Sequence, residues 1–232
     1  MNYFSPVTYM PLLEIIPHES TEQSVIATSF EVGTKQGKTC IVVMDVQVFC
    51  ANRWLGPFLI ETSSLIKDGV PLENIDKAMK NFGMPVGPIT LADEVGIDVS
   101  SKVASFLHSA DLGVRMDGGD VSIMGTMVEK GWLGKKSLSG FYTYDKKTKK
   151  KKGINAEAQK FLNSMATQKL NLSETEIQDR LVSRFVNEAV KCLEDDIIVN
   201  PQQGDIGMVF GTGFAVSLFC SMVHSSTLAC LF

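Results

Sequence analysis

The chain has 232 residues, 44% of them hydrophobic and 21% charged, and its formal net charge is −4. This composition is typical of a globular protein with one sizeable domain or two small ones, and the mild acidity gives no sign of a nucleic-acid-binding surface. The five cysteines form no CxxC pair and have no histidine at ligand spacing, which indicates free thiols. Lysines are concentrated in residues 146–152, a run that favours a solvated loop over a phosphate-binding patch.

The first part of the chain predicts one strand–helix–strand unit. Residues 12–16 are a short run of branched apolar residues, the pattern of a buried strand, and residues 38–44 contain a second such run. Between them, residues 21–35 have helical spacing, with Thr21 as a candidate N-cap. Such units are parallel and right-handed, and two strands do not form a stable sheet alone. We therefore expect the edge of a larger doubly wound sheet.

From residue 52 onward strand signals mostly vanish and helical periodicity dominates, so the predicted fold class is mainly α. The polar, lysine-rich residues 145–155 are predicted to be a linker. Residues 215–232 contain no Lys, Arg, Asp or Glu, and a divergent ending explains them more simply than a short membrane anchor. The predicted helices cover residues 53–67, a segment beginning near Pro71, and residues 89–94, 99–108 and 181–193.

Several separate motifs, in the right order, carry a family resemblance. They are the opening Met1–Val7 with Met10–Ile16, then Gly87–Asp98, then Lys130–Ser137 with Gly140–Tyr142, and finally Arg184–Val190 with Gly204–Gly211. Over roughly residues 1–214 these motifs resemble the 3-hydroxyacyl-CoA dehydrogenase family. The sequences of these motifs are most similar to the branch of the family that contains the alpha subunit of the mitochondrial trifunctional enzyme of fatty-acid β-oxidation.

The resemblance implies a fold, a reaction and partners. It divides the chain into a remnant of an NAD-binding Rossmann domain (1–48), a helical C-terminal dehydrogenase domain (49–144), the linker, a partial second helical repeat (156–214) and the divergent apolar tail (215–232). The implied reaction oxidises an L-3-hydroxyacyl-CoA to the 3-ketoacyl-CoA with NAD. The implied partners are the acyl-CoA substrate and a thiolase-type beta subunit or a second copy of the chain. The implied localisation is mitochondrial, although no targeting segment is visible.

The resemblance also assigns the site residues. Glu14 matches the family's catalytic glutamate, while Asn2 stands where the family has its catalytic histidine. An asparagine amide has no usable basic site near neutral pH. Asn52 matches an asparagine that contacts the substrate, and a helix N-cap is an equally weighted alternative. Asp93 and Asp98 are predicted to cap helix ends rather than to form a catalytic carboxylate pair.

The sequence departs from the family at the cofactor site, because no GxGxxG motif follows a strand anywhere in the chain. We therefore expect a segment of an NAD-dependent L-3-hydroxyacyl-CoA dehydrogenase that is inactive alone. The alternative is a non-catalytic truncated paralogue that serves as a helical interaction module.

Overall fold

The computed structural model describes residues 1–46, 50–109, 113–120 and 122–215, so the predicted apolar tail beyond Ala215 lies outside the described residues. Contacts between residues divide the chain into two units, Met1–Leu55 with Phe185–Phe232, and Gly56–Arg184. None of the described helices is long and apolar enough to cross a membrane. The elements are β1 (Asn2–Tyr3), β2 (Leu12–Ile15), α1 (Gln23–Lys35), β3 (Thr39–Val42), α2 (Cys50–Lys67), α3 (Leu72–Phe82), α4 (Pro88–Val95), α5 (Ile97–Ser109), a 3₁₀ turn (Gly113–Met116), α6 (Ser122–Glu129), β4 (Tyr142–Tyr144), β5 (Lys151–Ile154), α7 (Ala156–Met165), α8 (Glu174–Glu194) and α9 (Pro201–Thr212).

The first unit contains a three-stranded sheet in the order β1–β2–β3. β2 and β3 run parallel, with Leu12 opposite Thr39, and α1 connects them. The predicted strand–helix–strand unit is therefore confirmed, and so is the mainly α class. The sequence did not predict β1, which pairs antiparallel with β2 and places Asn2 opposite Glu14.

The two faces of β2 are covered by different helices, because successive residues of a strand point to opposite sides of its sheet. Gly33 of α1 lies so close to Leu13 that a Cβ atom there would be 2.6 Å from the leucine Cδ2. Gly211 of α9 approaches Leu12 in the same way, at 2.5 Å. Glu14 follows Leu12 by two residues, so its side chain projects to the α9 side of the sheet.

Two buried aspartates organise the second unit. Asp76 of α3 accepts a hydrogen bond from the Ile89 amide, at 2.9 Å, and so satisfies a free amide in the first turn of α4. Asp93 of α4 accepts the amides of Phe141 and Tyr142, both at 2.9 Å. The prediction that Asp93 caps a helix end is wrong, because its carboxylate instead binds the backbone where β4 begins.

The predicted linker is also corrected, because part of it is a strand. β5 pairs antiparallel with β4, and Tyr142 lies opposite Ile154. The lysine-rich composition suggested a loop, but Tyr142 and Tyr144 are 1% and 6% exposed and anchor β4 in the unit. At the end of the segment, the Asn155 side chain accepts the Glu157 amide and caps α7. The other predicted boundaries, 1–48, 49–144 and 156–214, rest on the resemblance and stay a prediction.

Candidate active site

Glu14 is the centre of the candidate site. It lies in β2 and is 0% exposed, although the strand around it is otherwise apolar. Its Oε2 accepts a hydrogen bond from the Asn2 side-chain amide across the sheet, at 2.9 Å. Its Oε1 accepts the backbone amide of Ala51 in the first turn of α2, also at 2.9 Å. Both carboxylate oxygens are therefore held in fixed directions. A carboxylate held in this way can orient the side chain that it binds, as the carboxylate of a catalytic acid–base pair does.

Burial controls the protonation of this carboxylate. Desolvation raises the pKa of Glu14 above its ordinary value, while the hydrogen bonds from Asn2 and Ala51 oppose the rise. The Ala51 amide is one of the free donors at the start of α2, where the helix dipole also favours negative charge. The fold therefore supplies donors to a carboxylate that it removes from water.

The start of α2 is fixed by a buried ion pair. Arg53 is 4% exposed, and its Nε donates to Glu188 of α8 at 2.6 Å. A second donor, Nη2, reaches Asp195 at 3.2 Å. Burial alone would lower the pKa of Arg53, but the hydrogen bond to Glu188 and the nearby carboxylates raise it. Arg53 therefore stays charged, and it tethers the helix turn that presents the Ala51 amide to Glu14.

The sequence analysis missed this ion pair. The available signal was a charged residue on an apolar helical stripe: Glu188 has helical spacing with the buried Leu181, Phe185 and Cys192. In an apolar stripe, a buried glutamate needs a cationic partner. Arg53 lies in the first turn of α2, directly before Trp54, which is fully buried.

Cys50 and Cys192 lie beside the same cluster and are both fully buried free thiols. Burial, followed by the hydrogen bond to Cys192 and the charge of Glu14, raises the pKa of the Cys50 thiol. A thiol with a raised pKa is a poor nucleophile. Cys50 is therefore not an activated catalytic group. In the described part of the chain, no group of three or more His, Cys, Asp and Glu residues is arranged to hold a metal ion.

The remaining candidate residue is Asn52, and His18 is the histidine nearest to Glu14 in the sequence. Asn52 is exposed between the buried Ala51 and Arg53, inside α2, so the N-cap alternative is wrong. His18 is an exposed residue of the turn after β2, where its Nδ1 accepts the Ser20 amide at 3.3 Å. The structure therefore joins position 2 with Glu14 and places Asn52 beside the amide that holds Glu14.

The described residues do not fit the pyrophosphate of NAD. In an NAD-binding strand–helix–strand unit, the turn before the helix is rich in glycine, and the helix N-terminus attracts the phosphates. Here the residues between β2 and α1 contain no glycine, and the N-cap residue of α1 is Glu22. Glu19 lies in the same turn and is exposed. Two carboxylates at this helix end would repel a pyrophosphate.

These features define a class of protein: a parallel strand–helix–strand unit is combined with helices, and a buried carboxylate orients the side chain at position 2. Comparison with known families agrees with this class. The NAD binding domain of 3-hydroxyacyl-CoA dehydrogenase matches residues 1–46, and the C-terminal domain of the same enzyme matches residues 49–144. The chain belongs to the 3-hydroxyacyl-CoA dehydrogenase family.

Curated relatives of the chain include bacterial proteins. The fatty acid oxidation complex subunit alpha of Vibrio vulnificus is 46% identical over 92% of the chain, and that of Shewanella amazonensis is 42% identical over 92%. The matched region is 29% of the first protein and 30% of the second, so the chain spans about three tenths of the relatives it matches. Bacteria have no mitochondria, so the expected mitochondrial localisation is wrong.

Solved structures support the same fold. The dehydrogenase part of multifunctional enzyme 1 from C. elegans has a TM-score of 0.69 and 26% identity, covering 98% of this chain and 54% of that one. The 3-hydroxybutyryl-CoA dehydrogenase of Escherichia coli has a TM-score of 0.73 and covers 98% of this chain and 66% of that one. Its sequence identity is 18%, so this second likeness concerns the fold alone.

Proposed function

We propose that the chain is a segment of an NAD-dependent L-3-hydroxyacyl-CoA dehydrogenase of fatty-acid β-oxidation, and that it does not catalyse the reaction by itself. The observation that carries this proposal is the hydrogen bond between Asn2 and Glu14, at 2.9 Å. A base that takes the proton of a substrate hydroxyl, held by a carboxylate, is the usual arrangement for this chemistry. The carboxylate and its support are present, and an amide occupies the place of the base.

The chemical consequence follows from the properties of the amide. The Asn2 nitrogen donates to Glu14, and its amide oxygen accepts hydrogen bonds but is too weakly basic to hold a proton taken from the substrate. Loss of a general base costs about 10²- to 10⁴-fold in rate. The turn before α1 does not suit a pyrophosphate either, so the described residues supply neither the base nor the cradle for NAD.

We propose that Asn52 contacts the acyl-CoA substrate. It is exposed in the first turn of α2, one residue after the amide that binds Glu14, so it can reach a ligand while the backbone beside it stays fixed. The curated relatives are named as subunits of a complex, which supports an assembly partner for this chain as well. A thiolase-type beta subunit and a second copy of the chain are the two partners proposed.

A non-catalytic interaction module is the second candidate, and α1 favours it. Only Gly33 of this thirteen-residue helix is buried. Val25, Phe30 and Val32 are 52%, 44% and 40% exposed, which is unusual for apolar residues of one helix. Such a helix suits a surface that another polypeptide covers.

One experiment separates the two candidates. The NAD-binding half of the Vibrio vulnificus relative is fused in front of the chain, with either Asn2 or the Asn2→His substitution, and NADH formation from 3-hydroxybutyryl-CoA is followed. We expect the histidine form to be active and the asparagine form to be slower by about 10²- to 10⁴-fold. The unfused chain should form no NADH in either version, and calorimetric titration should show no binding of NAD.

The possible results have distinct meanings. If both fusions are equally active, position 2 is not the base and the proposed site is wrong. If both are inactive while circular dichroism shows them folded, the interaction module is the better explanation. In an active fusion, Asn52→Ala should lower kcat/KM; an unchanged value would exclude Asn52 from the substrate site.

A further inference from the structure

The hairpin of β4 and β5 carries a concentrated positive charge. Six of the seven residues from 146 to 152 are lysines, whereas the whole chain has a net charge of −4. The only acidic residue between 145 and 156 is Asp145. We call residues 145–152 the lysine hairpin. No other stretch of this length in the sequence has a comparable charge.

The base of the lysine hairpin is firmly anchored. The Tyr142 hydroxyl donates to Asp76 at 2.9 Å, and the Tyr144 hydroxyl donates to Asp93 at the same distance. The Lys151 ammonium lies 3.9 Å from the centre of the Tyr142 ring and 3.7 Å from the Asp76 carboxylate. Buried carboxylates of the second unit therefore hold the strands that lead into and out of the turn.

The turn uses its one carboxylate internally. Asp145 accepts the amides of Lys147 and Thr148, at 3.0 and 2.9 Å, and it pairs with Lys152 at 3.2 Å. Among the described residues, the ion pairs of this segment are those of Lys151 and Lys152. The other four lysines share an exposed position at the tip. They are Lys146, Lys147, Lys149 and Lys150.

We propose that the lysine hairpin docks the protein onto the surface of an anionic phospholipid bilayer. The negative potential of such a surface attracts nearby lysines, and clusters of about four to eight basic residues recur in segments that bind anionic lipid. The tip has no apolar side chain to insert into the hydrocarbon. Its attachment is therefore peripheral and reversible, and it depends on ionic strength.

The chemistry of the tip favours lipid over other anionic partners. The tip contains no arginine, the residue that binds carboxylates and phosphates through two parallel hydrogen bonds in sites of fixed geometry. Residues 145–155 also contain no aromatic side chain on which a nucleic-acid base could stack. Lysine ammoniums on flexible stems supply charge without fixed geometry. Lipid headgroups diffuse and rearrange around such charges, so a bilayer does not require a complementary shape.

Vesicle co-sedimentation of the full chain tests the proposal. We use vesicles of equimolar phosphatidylcholine and phosphatidylglycerol, and vesicles of phosphatidylcholine alone. The tip variant replaces Lys146, Lys147, Lys149 and Lys150 with glutamine. Each lysine near an anionic surface raises the partition coefficient of the protein onto the vesicles by about fivefold. The four substitutions together should therefore lower the partition coefficient onto anionic vesicles by about 10²- to 10³-fold.

A matched variant controls for net charge. It replaces Lys77, Lys80, Lys160 and Lys169, four exposed lysines of the same unit, with glutamine and so changes the net charge equally. We expect this control to keep most of its binding, and we expect the binding of the unchanged chain to fall between about 0.1 M and about 1 M salt.

Three results would overturn the proposal. Binding that does not require anionic lipid would show that the tip lysines are not responsible for it. An equal loss in the control variant would show that bulk charge rather than the hairpin matters. Tighter binding of single-stranded RNA than of anionic vesicles, lost in the tip variant, would identify a nucleic acid as the partner instead.

Discussion

Replacing Arg53 with methionine should destabilise the first unit strongly, because the substitution leaves the Glu188 carboxylate buried without its arginine. The side chains of Arg53 and Glu188 are 5% and 1% exposed, and they are joined at 2.6 Å. Removing one partner of a buried pair costs about 3–5 kcal/mol. The Asp195 side chain is 42% exposed, so the loss of its contact with Arg53 adds less than about 1 kcal/mol. We therefore expect a total loss of about 3–5 kcal/mol, most of it from the buried pair.

The chain offers its own control in Arg180. This residue pairs with Glu61 and Asp68 at 2.6 and 2.7 Å, but its side chain is 31% exposed. Arg180→Met should therefore cost no more than about 1 kcal/mol. Urea unfolding at neutral pH, followed by circular dichroism, gives both free energies of unfolding. The double substitution Arg53→Met with Glu188→Met should recover part of the loss, since it removes the buried charge that the single substitution leaves.

The reasoning about the ion pair would be refuted if Arg53→Met cost no more than Arg180→Met. It would also be refuted if the double variant were no more stable than Arg53→Met alone. Either result would mean that Arg53 contributes packing by its alkyl stem rather than charge compensation. In that case Arg53 would not be the residue that positions the start of α2.

Two further predictions concern Glu14 and the packing of α9. Burial raises the folded pKa of Glu14 above 4.5, so the unchanged chain should lose stability relative to Glu14→Gln as the pH rises from 4.5 through the folded pKa; urea midpoints that differ equally at every pH would contradict this. A Cβ atom at Gly207 would lie 2.6 Å from Trp54, so Gly207→Ala should cost about 1–3 kcal/mol. A Cβ atom added at Gly125 in α6 would have no neighbouring atom within 4 Å, so Gly125→Ala should instead stabilise the protein by about 0.5–1 kcal/mol. If both substitutions shifted the thermal unfolding midpoint in the same direction, the packing argument would be wrong.

The elements that the sequence predicted well are those whose local pattern and burial agree. The strand predicted at residues 12–16 is β2, Leu12–Ile15, because an unbroken run of branched apolar residues suits a strand covered on both faces. β1 has two residues and no periodicity, and its place is set by pairing with residues about a dozen positions away. Such pairing leaves no local signal in the sequence.

Helix α9 was not predicted from the sequence, for a different reason. Gly204, Gly207 and Gly211 lower its helix propensity, so the pattern did not suggest a helix. The same glycines are what let α9 approach the sheet and Trp54 closely, since side chains at two of them would collide with Leu12 and Trp54. Here tertiary packing outweighs local preference.

The candidate site was predictable only in part. The pairing of Asn2 with Glu14 was expected from the family resemblance, and the antiparallel register of β1 and β2 gives its physical basis. The Ala51 amide carries no sequence signal, because every residue except proline has a backbone N–H group. The partnership of Arg53 with Glu188 joins residues 135 positions apart, so it emerges only when α2 and α8 are folded together.

The residue at position 2 links stability to function. Removing one of the two hydrogen-bond donors to a buried carboxylate lowers the free energy of unfolding by about 1–3 kcal/mol. A small apolar residue at position 2 would therefore destabilise the sheet. The asparagine amide keeps a donor at 2.9 Å from Glu14, as an imidazole N–H would. What the asparagine lacks is a second nitrogen that can accept a proton from a substrate. Asparagine at this position therefore supplies the donor that Glu14 needs, and under the proposed function it supplies no base. The Ala51 amide and the Arg53 ion pair still hold the carboxylate in place, so the supporting architecture of the site is independent of the base that it would orient.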